Sequence, residues 1–344
     1  METSPAVDAD REDQAATKHR ARLAAVALLA ATVFWGFGFT WAKEGGANAN
    51  RLSGLSHGNP LGPIWLLCVR FLSAGILWLA IIPAARRGWT LRSLGRGVGL
   101  GAMLAAGLIT QHLGLDRSSE AVTAFLTSLT ILFVPLIMTL VLGRPSPWRL
   151  WAGVVLATIG VWLMTGASPR GFGLGECLAI GCAVIFSVQL IALNYLVAAD
   201  DPARIAAAEF LTVGVITGII CLCLKGGPHA LSPARALQLI VAPGIGWNLL
   251  LMVLLVTIGS FGLQTYFQPR VDPTRAVLLY LCEPIFASVY AWIIAGRGLG
   301  KTAVVGALLI LCANALVELL QSRKSNAAGP SSPPDAPEGA KVMD

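Results

Sequence analysis

The second half of this chain repeats its first half, and both halves consist mainly of apolar segments long enough to span a membrane. Residues 107–165 align with residues 260–318 at a constant offset of 153, without a gap. The identical pairs include Gln111/Gln264, Arg117/Arg270, Phe133/Phe286, Gly143-Arg144/Gly296-Arg297 and Gly153/Gly306. Two similar halves that rock around a shared centre are the usual construction of a membrane transporter. The repeat therefore predicts one duplicated bundle.

The composition supports a membrane location. Hydrophobic residues make up 56% of the chain and charged residues 12%, which is about half the charged fraction of a soluble domain. The net charge is +7, but the basic residues lie in short loops and tails, which argues against a nucleic-acid partner. The seven cysteines lie in apolar segments without CxxC or Cys/His spacing, so we expect no disulfide framework, metal or cofactor. The expected partners are the lipid bilayer and a small-molecule substrate.

The apolar pattern predicts an all-α polytopic membrane protein of ten transmembrane helices, since about 20 apolar residues cross the hydrocarbon layer. The predicted spans are 21–42, 64–83, 96–115, 121–142, 147–165, 172–196, 203–224, 245–267, 275–295 and 302–320. No cleavage site follows the first span, so we expect it to be retained. We predict a polar N-terminal tail over 1–20, a flexible connection over 44–63 and a disordered tail over 321–344, which is rich in Pro, Ser, Ala and Gly.

The positions of Lys and Arg predict the orientation of the chain. With both termini in the cytoplasm, the inside segments carry roughly twice as many basic residues as the outside segments, as the positive-inside rule requires. Each half, 21–165 and 166–320, contains five predicted spans. Because five is odd, the second half enters the membrane from the opposite side, which makes this a 5+5 inverted repeat. We expect a bacterial-type plasma membrane.

Several short runs resemble a known family. They are Phe34-Trp35-Gly36, Arg70-Phe71-Leu72, the run from Ala276 to Ala287 (AVLLYLCEPIFA), and the hairpin glycines Gly143/Gly153 and Gly296/Gly306. Over nearly all of residues 21–320 the chain resembles an EamA-type permease of the drug/metabolite transporter superfamily with two such repeats. The resemblance implies export or exchange of small metabolites. The chain departs from the family at Arg144 and Arg297, where a Glu usually follows the hairpin glycine.

Arg70 lies in the middle of the second span, where a charged side chain costs at least ~2.5–3.5 kcal/mol on insertion scales. In the second half, Glu209-Phe210-Leu211 stands where Arg70-Phe71-Leu72 stands in the first. One hypothesis is that Arg70 and Glu209 line the pathway together and hold a zwitterion such as an amino acid. The alternative is that each is bound to a local partner, or that Glu209 reaches the membrane interface.

Glu283 lies in the predicted ninth helix, next to Pro284, which is expected to kink that helix. Tyr280 shares a helical face with Glu283, and Thr127 and Thr130 form the matching face of helix four. Pseudo-symmetry would bring these faces together at the centre of the bundle. A carboxyl at this depth either lines the pathway, where it can carry a proton, or joins two helices by a hydrogen bond.

Four further side chains are candidates for the substrate pathway. Gln111 and Gln264 recur at the ends of helices three and eight, where they either contact substrate or hydrogen-bond between helices. Trp35 and Phe39 lie one turn apart on helix one, where they either wall a cavity or pack on helix six. The predicted pathway residues are Trp35, Phe39, Arg70, Gln111, Thr127, Thr130, Glu209, Gln264, Tyr280 and Glu283.

The sequence predicts an inner-membrane permease that exports small metabolites, such as amino acids or aromatic compounds, by alternating access, driven by a gradient or by protons. Nucleotide-binding loops and hydrolase motifs are absent from the sequence, so we do not expect an enzyme. Alternatives are a nucleotide-sugar or lipid-carrier transporter of the same fold, a membrane-embedded enzyme, and a non-transporting receptor or assembly protein. Glycine spacings at Gly95-Gly99, Gly97-Gly101 and Gly214-Gly218 indicate close helix packing, within one chain or in a homodimer.

Overall fold

The fold is described from a computed structural model. It covers residues 5–142, 148–164, 172–197, 200–270, 279–280 and 282–327. Within these ranges the chain forms helices joined by turns, with no strand. The expected hairpin at Gly143-Arg144, the start of the ninth span at 275–278 and the tail beyond residue 327 lie outside the described residues.

Fourteen helices are numbered in chain order through the described residues. They are α1 (Pro5–Leu52), α2 (Leu61–Ile81), α3 (Leu91–Leu115), α4 (Glu120–Thr127), α5 (Thr130–Leu142), α6 (Trp148–Met164), α7 (Leu174–Val197), α8 (Pro202–Cys223), α9 (Gly227–Ala230), α10 (Pro233–Ile240), α11 (Gly246–Leu251), α12 (Gly262–Phe267), α13 (Glu283–Ala295) and α14 (Lys301–Ala327). A π-helical segment, Met252–Phe261, joins α11 to α12. Two 3₁₀ turns lie at Pro83–Arg86 and Gln268–Arg270.

Seven stretches in the described part of the chain are long and apolar enough to cross a membrane, so this is a multi-pass membrane protein. They are Leu23–Leu52, Leu61–Ile81, Leu91–Leu115, Glu120–Val141, Leu174–Val197, Pro202–Cys223 and Gly246–Phe267. The expected fifth span corresponds to α6, which has 17 residues. The ninth and tenth correspond to shorter apolar stretches at Glu283–Ile294 and Lys301–Ala313. The structure thus gives seven of the ten expected spans at full length.

The ends of the predicted elements need correction at α1 and α14. α1 runs unbroken from Pro5 to Leu52, so most of the polar tail and the first half of the expected 44–63 connection are helical. The remaining turn is held by Asn50, whose Nδ2 donates to the carbonyl of Asn59 and whose Oδ1 accepts from the Gly62 amide, both at 2.7 Å. The prediction of a flexible link was wrong, because the hydrogen bonds of Asn50 to Asn59 and to the distant amide of Gly62 hold the turn in place. α14 continues to Ala327, past the expected start of the tail at 321.

The helices pack in a pattern that is similar in the two halves. α2 packs extensively on α8, and α6 on α14, and these are the pairs that the repeat relates to each other. Helix α3 of the first half lies against α7 of the second half. The corresponding contact under the repeat joins the π-helical segment of the second half to α1 of the first half. α7 also contacts α4 and α5, as α1 contacts α13. Each half therefore supplies the same set of walls around the centre.

Glycines allow two of these helix pairs to approach closely. A Cβ at Gly97 would lie 2.3 Å from the Cβ of Ala208 on α8, and one at Gly214 would lie 2.7 Å from the side chain of Leu72 on α2. By contrast, a Cβ at Gly95 or Gly99 would meet no described atom within 4 Å. The Gly97 and Gly214 positions thus serve contacts within this chain, as small residues commonly do in membrane bundles.

Asp200, in the turn between α7 and α8, ties α3 to that turn. Its carboxylate accepts a hydrogen bond from Ser93 Oγ at 2.5 Å and from Arg204 Nη2 at 2.9 Å, and Arg96 lies 3.6 Å away. Burial alone would raise the pKa of Asp200. The hydrogen bonds from Ser93, the Asp201 amide and Arg204, with the charge of Arg204, outweigh burial and lower the pKa below its ordinary value.

We expect this turn to make stability depend on acid pH. Because the folded-state pKa of Asp200 is depressed, its contribution is complete above the ordinary carboxyl pKa and is lost as the pH falls through the lower folded value. Asp200→Asn should lower the free energy of unfolding by about 1 kcal/mol at pH 7 and flatten its decline below pH 5. Thermal unfolding in detergent at stepped pH measures both. An unchanged pH profile in the variant would contradict this assignment.

Candidate functional site

Helices α5 and α13 begin at matching positions of the repeat. In the first half, α4 ends at Thr127 and α5 begins at Thr130, with Ser128 and Leu129 between them. In the second half, Tyr280 is helical, Cys282 is a turn residue and α13 begins at Glu283. The offset of 153 maps Thr130 onto Glu283. The predicted continuous helix over 121–142 is therefore interrupted, and within the predicted helix over 275–295 a helix begins at the corresponding position.

Side-chain hydrogen bonds accompany the interruption in the first half, and a proline accompanies the helix start in the second half. In the first half, Thr130 Oγ1 donates to the carbonyl of Thr127 at 2.7 Å, and Ser187 Oγ on α7 donates to the carbonyl of Thr130 at 3.2 Å. These side-chain bonds compete with the helical backbone pattern. In the second half, Pro284 lies in the first turn of α13, where its missing N–H is tolerated. Proline thus begins a helix here, whereas we had predicted a kink.

Residues around both of these positions line one space, the central cavity, of about 120 Å³. Nine of the ten predicted pathway residues line it, namely Trp35, Phe39, Arg70, Gln111, Thr127, Thr130, Gln264, Tyr280 and Glu283. Three pairs among them are related by the repeat: Gln111/Gln264, Thr127/Tyr280 and Thr130/Glu283. Since one water needs about 10–15 Å³ on this measure, the cavity holds a ligand of roughly ten non-hydrogen atoms.

The wall contributed by α1 is aromatic. The ring of Trp35 lies 5.4 Å from the rings of Phe261 and Tyr280, at edge-on angles of 61° and 66°. Phe39 and Phe186 line the same space. Edge-to-face contacts of this kind hold the rings in place, so the cavity offers a preformed aromatic surface to the body of a ligand.

Arg70 and Glu209 are separated in the structure. Arg70 lines the cavity, where its Nε donates to Thr257 Oγ1 at 2.6 Å and its guanidinium carbon lies 4.9 Å from the centre of the Phe71 ring. Glu209 does not line the cavity. Its carboxylate accepts from Nε2 of Gln189 at 3.3 Å, and Gln189 is the side chain that faces the cavity. No ion pair joins Arg70 to Glu209 among the described residues.

The cavity also carries polar atoms without protein partners. Trp35 Nε1 and His112 Nε2 are buried and have no hydrogen-bond partner among the described residues, although both residues line the cavity. Tyr280 instead donates to Gln268 Oε1 at 2.9 Å, and Gln268 Nε2 donates to Asn194 at 2.9 Å. Because unsatisfied buried donors and acceptors are costly, Trp35 and His112 are suited to bind a polar ligand or water.

A cluster of three charged residues lies at one end of the cavity. Glu120, at the start of α4, is fully buried; its carboxylate accepts a hydrogen bond from Arg297 Nη1 and lies 3.9 Å from Lys43 Nζ. Lys43 also donates to the carbonyl of Ser118. This ion cluster of Lys43, Glu120 and Arg297 joins α1, α4 and the segment after α13.

The ion cluster borders a second cavity, the vestibule. Lys43 and Arg297 line the vestibule together with Glu44, Ala47, Asn48 and His57, while Ala42, directly before Lys43, lines the central cavity. On α1, the ion cluster is therefore adjacent to the wall of the central cavity.

Comparison with known proteins adds the family. The model of the EamA-like transporter family matches residues 22–166 and again residues 173–319. The chain belongs to the EamA-like transporter family. Its two matches cover both halves, so this member carries two EamA repeats, and the family indicates a membrane transporter and not an enzyme.

Individual relatives of this EamA-like protein are distant. An uncharacterised transporter of the archaeon Archaeoglobus fulgidus is 24% identical over 259 residues, which cover 75% of this chain and 78% of the relative. A solved crystal structure superposes with a TM-score of 0.59 at 18% identity, covering 88% of this chain and 99% of the other. At this identity the structural likeness shows the fold alone.

Sequence reasoning missed several residues of this EamA-like site. Gln189 and Thr257 lie in spans with several other polar residues and gave no signal of their own. Lys43 and Arg297 were not among the predicted pathway residues. The residue that could have indicated the ion cluster from sequence was Glu120, a carboxylate at the start of an apolar helix. Acidic residues are common at helix N-termini, so its position alone did not mark it as a candidate.

Proposed function

We propose that this protein is a ten-helix permease, built as a 5+5 inverted repeat, that exports small metabolites such as amino acids or aromatic compounds by alternating access. It lies in a bacterial-type inner membrane with both termini in the cytoplasm and is driven by a gradient or by protons. The observation that carries the proposal is the central cavity, which lies where α5 and α13 begin at repeat-related positions. Interrupted helices at the repeat interface are typical of transporter binding sites.

The cavity's contents support the substrate class. Its volume of about 120 Å³ suits an amino acid and is too small for a nucleotide-sugar. Its wall combines aromatic rings with one cation, Arg70, and one carboxyl, Glu283. We expect the ion cluster to close one end of the central cavity, because alternating access requires that only one side opens at a time. The resemblance to the family supports export as the direction of transport.

We expect Glu283 to couple transport to protons. In proteoliposomes, a radiolabelled panel of amino acids and aromatic metabolites should give saturable flux that an imposed pH gradient stimulates. Glu283→Gln should lose at least about tenfold of the gradient-driven accumulation, because a glutamine cannot release a proton. Glu44→Gln, which alters a carboxyl outside the central cavity, is the matched control and should behave like wild type.

Other results would redirect the proposal. Saturable flux that ignores the pH gradient in both proteins would establish a facilitator and remove the proton-coupling role of Glu283. If well-folded protein moved no panel member, the amino-acid and aromatic assignment would be rejected, and a nucleotide-sugar or lipid carrier would be tested next.

A further inference from the structure

Within the part of the chain that the structure describes, no carboxylate balances the charge of Arg70. Arg70 is the tenth residue of the 21-residue helix α2 and is 2% exposed. Among the described residues, no carboxylate lies within 4.0 Å of its guanidinium. Glu283 lines the same cavity but makes no ion pair with Arg70. A cation at membrane depth without a counter-ion is rare, and intramembrane charges usually mark a functional site.

The geometry around Arg70 leaves one side of the guanidinium available. Its Nε is occupied by Thr257 Oγ1, and the ring of Phe71 lies beside its carbon. Neither terminal nitrogen of Arg70 donates a hydrogen bond to a described residue, and neither nitrogen is fully buried. The two terminal nitrogens form the fork that binds a carboxylate with two parallel hydrogen bonds.

Thr257 holds Arg70 in this orientation. Its hydroxyl accepts from Arg70 and donates to the carbonyl of Met252, five residues earlier, at 3.0 Å. This five-residue spacing belongs to the π-helical segment Met252–Phe261. The π-helical geometry is rare in proteins, and where it occurs it frequently lies at a functional site. Because the hydroxyl both accepts one hydrogen bond and donates another, the Thr257 side chain cannot rotate freely. Its role is to position Arg70.

We infer that Arg70 binds the carboxylate of the transported molecule, so that the substrate class is a small carboxylate with an aromatic or apolar body. The inference deepens the proposed function and rests on it. The carboxylate supplies a counter-ion that the described residues do not provide, and the rings of Trp35, Phe39 and Phe261 contact the body. An amino group on the substrate would face Glu283, but binding does not require one.

A matched series of four ligands tests this: phenylalanine, 3-phenylpropanoate, phenylalaninamide and phenethylamine. For each, flux in proteoliposomes and the thermal stabilisation of purified protein are measured separately. Wild type should prefer the two acids over the amide and amine by at least about 30-fold. Arg70→Gln should lose that preference, while Arg92→Gln, an exposed arginine outside the cavity, should keep it.

A milder variant, Thr257→Val, keeps the test valid if Arg70→Gln fails to fold. Thr257→Val keeps the volume and removes the acceptor, so the KM for the acids should rise about tenfold while the maximal flux and the values for the amide change little. A purely structural role of Arg70 or Thr257 would instead lower flux for all four ligands equally, which would overturn the inference.

The two readouts separate the inference from the proposed function. Flux without discrimination between acid and amide would overturn the carboxylate assignment and leave the permease intact. Stabilisation by the acids that is lost in Arg70→Gln, without flux of any ligand, would support the site and reject transport of this class. Neither flux nor stabilisation would reject both.

Discussion

Glu120→Gln is expected to open the central cavity to the vestibule. The carboxylate of Glu120 is fully buried and faces two cations, Lys43 and Arg297. Removing its charge leaves these cations facing a neutral amide, and breaking a buried ion pair in this way costs about 3–5 kcal/mol. Because the Arg297 side chain is 44% exposed, we discount this to about 2 kcal/mol. That difference corresponds to a roughly 30-fold change in the closed-to-open ratio.

The measurement is the accessibility of position 42. In a background without the seven native cysteines, Ala42→Cys places a thiol on the cavity wall just inside the ion cluster. A membrane-impermeant maleimide added from the vestibule side should label it about 10–100 times faster in Glu120→Gln. Glu120→Asp retains the charge and should label slowly, and Glu44→Gln, which alters a vestibule residue outside the cluster, should have no effect. Equal rates in all variants would show that the cluster does not close the path.

Gly97→Leu is expected to produce the largest loss of stability. Even a Cβ at this position would lie 2.3 Å from Ala208, so a leucine must force α3 away from α8. Overpacking commonly costs about 1–3 kcal/mol; we expect the upper end or failure to fold, because the opposing surface includes the α8 backbone, with the Ile205 carbonyl 3.5 Å away.

Gly99→Leu is the matched control, on the same helix and with the same chemical change. A Cβ at Gly99 has no described neighbour within 4 Å, so its midpoint of thermal unfolding in detergent should stay within a few degrees of wild type. Gly97→Ala provides a graded variant that should fall between the two. If both leucine variants unfolded alike, the close approach of α3 and α8 would not be what Gly97 provides.

Much of the architecture could be predicted from the chain alone. A bilayer leaves no water for backbone groups, so spanning segments must be helices of about 20 apolar residues, and this makes their approximate positions a local property. The repeat could be read at one fixed offset, and it pairs Thr127 with Tyr280 and Thr130 with Glu283. Pseudo-symmetry then brings such pairs together, which is why nine predicted residues line one cavity.

The interruption at 128–129 could not be predicted, because an apolar run has the same composition whether or not its helix is interrupted. It depends on bonds such as that from Ser187 on α7 to Thr130. The π-helical segment is equally invisible in its composition. Likewise Asn50 shortened the expected 44–63 connection through a bond to the start of the next helix.

The charges separate what the sequence determined from what tertiary structure decided. The sequence determined that Arg70 and Glu209 lie in apolar spans and need partners, since a charge in hydrocarbon is costly wherever it lies. Only the tertiary structure decided which partners: Thr257 for Arg70, Gln189 for Glu209, and Lys43 with Arg297 for Glu120. These contacts join residues up to 187 positions apart. Span length and repeat are set by neighbours along the chain, whereas the partner of a buried charge is set by which helices pack together.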